Sequence, residues 1–262
     1  MRGPQRHARY TRAVRRAVAT VPHYRERYAA TGTLPPLTRD EAEHRRHLLM
    51  PLGSSLLARR DPGRPVTEHL AELRDALRTA GHRTGGREVY EVTTALREPV
   101  RAYGTDWRVL LASTADALPH VVERYGTGDR GPGGDALVVG DAGHRRGPGG
   151  DALVVGDAGQ LRGTGAATVE RVTLAAAART RPAPGSLWYE PWLGHLGGVP
   201  ADCGELHLSA DRVHARLLDG ATVLTLLRRR RPTLVHVRPE GAGSFAPASC
   251  PRHGVPILGR TP

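Results

Sequence analysis

The chain has 262 residues, and its hydrophobic content of 39% is lean but sufficient for one large α/β domain or two small ones. No apolar run approaches the length that spans a bilayer, and the basic N-terminus lacks an apolar signal core. We therefore expect a cytoplasmic protein with no membrane partner. The formal net charge is +12, yet lysine is absent and arginine supplies the positive charge.

The missing lysine excludes several mechanisms. A Walker-type phosphate loop, Schiff-base chemistry and a kinase-type lysine clamp all require that side chain. Asparagine is absent as well, and Ile257 is the single isoleucine. This pattern is typical of a very GC-rich coding sequence, so the excess of arginine does not by itself indicate a nucleic-acid partner, which we consider unlikely.

The first part of the chain carries helical periodicity and two short strand patterns. Apolar residues recur at helical spacing before Pro22, which divides a first helix from a second. Thr38-Arg-Asp-Glu41 is a capping box, in which two side chains satisfy free backbone N–H groups at a helix start. The predicted elements are helices over 5–30 (interrupted at Pro22), 39–48 and 67–80, and strands over 89–94 and 98–103.

The second part is predicted to alternate helices with short buried strands. A stripe that includes Leu111, Leu118 and Val122 indicates a helix over 105–125. The run Arg228–Arg231 is interpreted as the solvated C-terminal end of a helix, where cations are favoured. The predicted elements are helices over 105–125, 165–179, 209–218 and 221–230, strands over 205–208, 233–237 and 255–258, and an irregular segment over 181–203.

Residues 130–143 are repeated without a change at 146–159. A repeat architecture needs at least three units, so an unchanged pair indicates a recent tandem duplication within 130–161. Each copy predicts a short strand, Ala-Leu-Val-Val, and a Gly-Asp-Ala-Gly turn. The turn either reverses the chain or places Asp141 or Asp157 on a phosphate or a metal. We expect one copy to hold a position in a sheet and the other to be extruded as a loop.

Strands alternate with helices from residue 89 to residue 237, which favours a mainly parallel sheet with helices on both faces. Ligands of such folds bind at the carboxyl ends of the strands. The predicted organisation is an N-terminal helical segment over 1–85, followed by a partial α/β domain of the nucleotide-binding type over 86–262.

Three segments carry a family resemblance. They are Val21–Gly32 with the Leu34-Pro-Pro-Leu-Thr-Arg-Asp-Glu41 turn, then Glu88–Thr94 with Glu98-Pro-Val-Arg101, and finally Leu226–His236. Together they resemble the adenylate-forming superfamily, most closely its branch of phenylacetate–CoA ligases and related synthetases. The middle segment corresponds to the nucleotide-phosphate loop of that family.

The resemblance implies a two-step reaction. A carboxylic-acid substrate attacks the α-phosphate of ATP, held with Mg²⁺, and gives an acyl-adenylate and pyrophosphate. A thiol, usually that of coenzyme A, then displaces AMP. The resemblance assigns the phosphates of ATP to Thr93, Thr94 and Arg97, and it leaves the catalytic residues and the acyl substrate unidentified.

The chain departs from the family pattern at this loop. The family reads roughly Thr-Ser-Gly-Thr-Thr-Gly-x-Pro, whereas this chain reads Thr93-Thr-Ala-Leu-Arg-Glu-Pro99 and lacks both glycines. The family's C-terminal domain carries a catalytic lysine, and this chain has none. We expect an incomplete adenylation-type large domain, impaired or inactive alone unless a separate C-terminal polypeptide completes it.

Both cysteines of the chain occur beside histidines. Cys203 and His207 are separated by three residues, and Cys250 and His253 by two. Two thiolates and two imidazoles suit tetrahedral zinc, although the spacing matches no familiar zinc finger. The alternative is a pair of unrelated free thiols in a reducing compartment.

An aromatic cluster lies within the segment that is expected to be irregular. Trp188, Tyr189, Trp192 and His195 precede a Gly-Gly pair. These side chains either line an acyl or nucleotide pocket or belong to the hydrophobic core, and the sequence does not separate the two alternatives.

Three functions therefore remain open. The first is an adenylate-forming acyl-CoA ligase represented by its N-terminal part. The second is a non-catalytic remnant that acts as a partner-binding module. The third is a basic protein that binds nucleic acid or another acidic surface.

Overall fold

The structure, a computed structural model, describes residues 3–55, 66–83, 88–92, 100–103, 108–112, 153–161, 167–229 and 231–261. The protein is of the mixed α/β class. It divides into two compact units, a larger one of Met1–Gly81 with Val172–Pro262 and a smaller one of His82–Arg171. None of the helices in the described ranges is both long and apolar enough to cross a membrane.

The helices lie mainly in the first part of the larger unit. They are α1 (Gly3–Thr20), α2 (Pro22–Thr31), α3 (Arg39–His44), α4 (Val66–Thr79) and α5 (Leu174–Arg179), with short 3₁₀ turns at Arg46–Leu49 and Ala242–Ser244. Helix α3 begins where the capping box predicts, since the Thr38 hydroxyl accepts a hydrogen bond from the Glu41 N–H at 3.3 Å. Helix α4 agrees with the predicted helix over 67–80, and it buries Leu73 and Leu77, which are spaced by about one helical turn.

Both units contain strands. The smaller unit contains β1 (Glu88–Val92), β2 (Val100–Tyr103), β3 (Arg108–Ala112), β4 (Leu153–Gly156) and β5 (Ala167–Val172), which runs one residue past its boundary. The larger unit contains β6 (Leu187–Glu190), β7 (Gly194–Gly198), β8 (Leu206–Leu208), β9 (Val213–Leu218), β10 (Ala221–Leu226), β11 (Phe245–Ser249) and β12 (Pro256–Arg260).

The sheet of the larger unit is antiparallel. Its order is β11-β12-β8-β7-β6, and every neighbouring pair runs in opposite directions. Strands β9 and β10 pair as a hairpin around Asp219 and Gly220. The core of this unit buries Trp188, Leu196 and Leu224 together with apolar side chains of α1, α2 and α5. A mainly parallel sheet is thus the wrong prediction for this part of the chain.

The smaller unit holds the parallel strands. Strand β1 lies between β3 and β4 and runs parallel to both, β4 is parallel to β5, and only β2 is antiparallel to its neighbour β3. Strand β4 is the Leu-Val-Val-Gly of the second repeat copy, and it is completely buried. The second copy therefore holds a sheet position, whereas the first copy, with Asp141, lies outside the described residues.

Asp157, in the turn of the second repeat copy, has a structural partner. Asp157 accepts a hydrogen bond from Arg171 Nε at 3.1 Å, and the same guanidinium donates to the buried Glu91 at 3.4 Å. Arg171 Nη2 also reaches the Gln160 side chain at 3.1 Å. Within this unit the Gly-Asp-Ala-Gly turn thus joins β4 to a buried network of charged groups.

Several predicted helices are strands in the structure. Strand β3 falls inside the predicted helix over 105–125, β5 inside that over 165–179, and β9 and β10 replace the helices over 209–218 and 221–230. The predicted irregular segment over 181–203 contains β6 and β7. These segments are short and apolar on more than one face, so pairing with neighbouring strands overrides their weak helical periodicity.

The prediction that the run Arg228–Arg231 ends a helix is wrong, because the segment directly before it is strand β10. The Arg229 guanidinium is buried and donates to Glu72 of α4 at 2.5 and 3.2 Å, and also to the carbonyl of Leu193. Burial of an arginine requires such a partner, since an unpaired charge in the interior is very costly.

Candidate metal centre

Two turns of the larger unit bring the predicted zinc ligands together. Cys203 lies in the turn that leads into β8, which carries His207. Cys250 follows β11, and His253 lies in the turn before β12. Strand β12 pairs with β8 so that Ile257 lies opposite His207. This pairing, which joins residues about fifty positions apart in the chain, sets one Cys–His pair beside the other.

The four side chains direct their ligand atoms toward one another. Cys203 Sγ lies 3.0 Å from His207 Nε2, and Cys250 Sγ lies 3.4 Å from His253 Nδ1. All four ligand atoms lie within 4.8 Å of each other. Zinc–sulfur bonds of about 2.3 Å and zinc–nitrogen bonds of about 2.0–2.1 Å place the ligands of a tetrahedral ion roughly 3.4–3.8 Å apart. The tetrad therefore needs only small movements to fit zinc.

A carboxylate supports one of the histidines from outside the tetrad. Asp202 Oδ2 lies 2.9 Å from His253 Nε2, the ring nitrogen that faces away from Cys250. A carboxylate that accepts the distal N–H of a histidine fixes its tautomer and leaves the other nitrogen free for a metal. Arg252 lies near the same carboxylate, 3.6 Å from its Oδ2. The sequence analysis missed Asp202, although its position directly before Cys203 is a usable signal.

Glycines end both turns in a conformation that other residues rarely adopt. Gly204 follows Cys203 with φ +66°, and Gly254 follows His253 with φ +64°. The Gly254 N–H donates to the Cys250 carbonyl at 2.8 Å, and the Gly204 N–H to the Pro200 carbonyl at 3.1 Å. Each of these hydrogen bonds closes one of the two turns that carry the cysteines.

The protonation of the ligands responds to their surroundings. Burial raises the pKa of the Cys203 thiol, and burial together with the nearby His253 lowers the pKa of His207. Hydrogen bonds to Cys250 and Asp202 raise the pKa of His253. A metal ion would displace the protons of the thiols and of His253, so its binding must release protons and weaken at low pH.

The aromatic segment belongs to the core. Trp188 is completely buried, and its Nε1–H donates to the Glu190 carboxyl group at 3.1 Å. Trp192 packs against the same core from its edge. Trp188 is therefore a packing residue with a satisfied N–H. The predicted phosphate-binding residues Thr93, Thr94 and Arg97 lie outside the described residues.

Comparison of this chain with protein-family models and with curated proteins finds no match. Function is therefore inferred from the chain's own residues. The Cys203–His207–Cys250–His253 tetrad is the group whose positions in the structure agree most directly with a specific chemistry.

Proposed function

We propose that this protein binds one zinc ion through Cys203, His207, Cys250 and His253. The observation that carries the proposal is the convergence of two sulfur and two nitrogen atoms from two separate turns within 4.8 Å. Thiolate and imidazole are the ligands that zinc prefers in proteins, and four of them complete a tetrahedral shell.

The zinc ion would have a structural role. Catalytic zinc sites keep one position for water or substrate, whereas four protein ligands leave none. The ion would tie the turn before β8 to the turn between β11 and β12, in addition to the Asp202–His253 hydrogen bond and the pairing of β12 with β8. Because an unfolded chain does not preform the site, the binding free energy would add to the stability of this sheet edge.

Metal analysis of the purified full chain tests the proposal. We expect about one equivalent of zinc, and cobalt(II) replacing it should give the thiolate charge-transfer absorption of a tetrahedral site. Cys203→Ser and Cys250→Ser should each lose the metal, whereas His47→Ala, which changes an exposed histidine away from the tetrad, should keep it. Less than about half an equivalent in the wild type would refute the proposal.

We propose as a second candidate that the chain derives from adenylate-forming acyl-CoA ligases and has impaired ATP-dependent chemistry. The specific observation that favours it is the parallel group β3-β1-β4-β5. Ligands of such sheets bind beyond the carboxyl ends of the strands, and Thr93 and Thr94 directly follow β1 in the sequence. Helices on both faces of the sheet and an adenylation-type large domain remain parts of this proposal.

The phosphate loop decides how much chemistry remains. Loop glycines let the backbone approach the phosphates closely, and Thr93–Pro99 has none. Pyrophosphate exchange with ATP, Mg²⁺ and a panel of carboxylic acids, followed by thioester formation with coenzyme A, measures both steps. We expect exchange close to background. Carboxylate-dependent exchange well above background would contradict the impairment, and absence of ATP binding would remove support for the ligase itself.

A further inference from the structure

A group of basic side chains lies on the face of β9 that points away from the core. Val213 and Ala215 point into the core, so the half-buried His214 and the exposed Arg216 share the opposite face, next to helix α1. Tyr10 of α1 stacks on His214 with 4.4 Å between ring centroids. The Arg216 guanidinium lies 5.7 Å from the centroid of the same tyrosine ring.

A hydrogen-bonded chain runs inward from this face. Arg216 Nη1 donates to the Tyr10 hydroxyl at 2.8 Å, and that hydroxyl lies 2.7 Å from His236 Nε2. His236 Nδ1 lies 2.8 Å from the Leu34 carbonyl oxygen, which can only accept. His236 Nδ1 therefore carries the proton, and Nε2 accepts from Tyr10. The bond from Arg216 and the bond to His236 together fix the orientation of the tyrosine hydroxyl.

Two polar atoms beside this chain have no hydrogen-bond partner. Arg6 of α1 donates through Nη2 to the Val213 carbonyl at 3.0 Å, but its Nε–H is buried and unpaired within the described residues. His214 Nδ1 is likewise buried and without a partner there. A buried donor or acceptor that lacks a partner loses its hydration without compensation. Both atoms lie on residues that remain partly exposed, so solvent reaches this region.

The cluster is positively charged and contains no matching carboxylate. Burial, followed by the charges of Arg6 and His7, lowers the pKa of His214 to about 4. No ion pair in the described ranges joins Arg6 or Arg216 to an acid. Asp211, just before β9, lies outside the cluster's hydrogen bonds and has its own cationic partners.

These partners account for the charge of Asp211. Its two carboxylate oxygens lie 2.7 Å from Arg9 and 3.7 Å from Arg228. Arg6 is half-buried and Arg216 is exposed, and neither is paired with an acid within the described residues. Guanidinium groups without an acid repel each other, and their N–H forks match the oxygens of an oxyanion. A bound anion would offset this repulsion.

We propose that Arg6, His214 and Arg216 form a binding site for a phosphate group, between α1 and the outer face of β9. The guanidinium groups of Arg6 and Arg216 donate to the phosphate oxygens, and the stacked Tyr10 and His214 rings form the wall of the site. The site is separate from the zinc tetrad, so each proposal can fail without the other.

Isothermal titration of the full chain with inorganic phosphate at constant ionic strength tests the site. We expect saturable binding with a Kd in the ~mM range. Arg6→Gln and Arg216→Gln should each bind phosphate at least about tenfold more weakly, since each loses a charged donor. Arg12→Gln, which changes an exposed arginine of the same helix, is the matched control and should bind as the wild type does.

Further measurements separate the sources of the anion and guard against misfolding. Glycerol phosphate in place of inorganic phosphate shows whether the site accepts a phosphate ester, while chloride at equal ionic strength reports simple screening. In phosphate-free buffer the two glutamine variants should keep the circular dichroism spectrum and the cooperative melting of the wild type, which shows that they fold. The proposal would be overturned by a lack of saturation, by equal responses to chloride and phosphate, or by unchanged phosphate affinity in both variants.

Discussion

Replacing Glu190 with glutamine should stabilise the protein at neutral and alkaline pH. Glu190 ends β6 and is almost fully buried. Its Oε1 accepts hydrogen bonds from the Leu174 N–H at 2.6 Å and from Trp188 Nε1 at 3.1 Å. Both bonds use the same oxygen, so the carbonyl oxygen of glutamine can accept them unchanged. The substitution thus keeps both bonds and replaces the other, charged oxygen by a neutral NH2 group.

The magnitude follows from the pKa of this carboxyl group. Burial raises the pKa of Glu190 from 4.5 to about 7, against the lowering effect of its two hydrogen bonds. The folded state therefore holds a proton that the unfolded state has released, and the free energy of unfolding falls as the pH rises from 4.5 to 7. At about 1.36 kcal/mol per pH unit, this loss of unfolding free energy reaches at most about 3 kcal/mol once the pH exceeds the folded-state pKa of about 7.

Urea denaturation followed by circular dichroism at several pH values measures the difference. We expect Glu190→Gln to match the wild type near pH 4 and to exceed it by up to about 3 kcal/mol at pH 8. Titrations that both proteins share cancel in this comparison. Glu26→Gln, at an exposed position of α2, controls for general charge effects. A glutamine variant that is less stable at pH 8, or a difference that does not change with pH, would refute the reasoning.

Three further predictions concern the larger unit. Asp202→Asn should weaken zinc binding about 10- to 100-fold in a competition titration, because His253 loses its carboxylate, and unchanged affinity would count against that support. Glu72→Ala should cost about 3–5 kcal/mol in urea unfolding, since it removes the carboxylate that pairs with the buried Arg229 guanidinium, and a cost below ~1 kcal/mol would contradict this. Gly197→Ala should lower the melting temperature sharply, because its Cβ would lie 1.9 Å from the His207 carbonyl oxygen, and an unchanged melting curve would disprove the contact.

Local signals in the sequence identified the elements whose free backbone groups are hydrogen-bonded by residues only a few positions away. The capping box at Thr38 begins α3, and a second threonine, Thr173, caps α5 in the same way although its helix was predicted to start earlier. The predicted helix over 67–80 was correct, because the helical spacing of Leu73 and Leu77 agrees with their burial in α4. The hairpin β9–β10 was missed, although Asp219-Gly220, with φ +50° and +74°, is a usable turn signal.

The candidate metal site was likewise predictable only in its local parts. Sequence spacing alone identified each Cys–His pair, because ligands a few residues apart in a turn can reach one ion without help from the rest of the chain. The sequence could not show that the pairs meet, since Cys203 and Cys250 are brought together by the pairing of β12 with β8. Asp202 was missed as well, although it directly precedes Cys203 in the sequence.

The sequence by itself determined the composition, the absence of lysine chemistry, the tandem duplication and the elements with strong local signals. Only the tertiary structure decided which short apolar segments became strands, which repeat copy entered the sheet, and where Arg229 found its acidic partner. The physical reason is that helix caps and turns are stabilised by neighbours in the chain, whereas strands and buried charges are stabilised by distant partners.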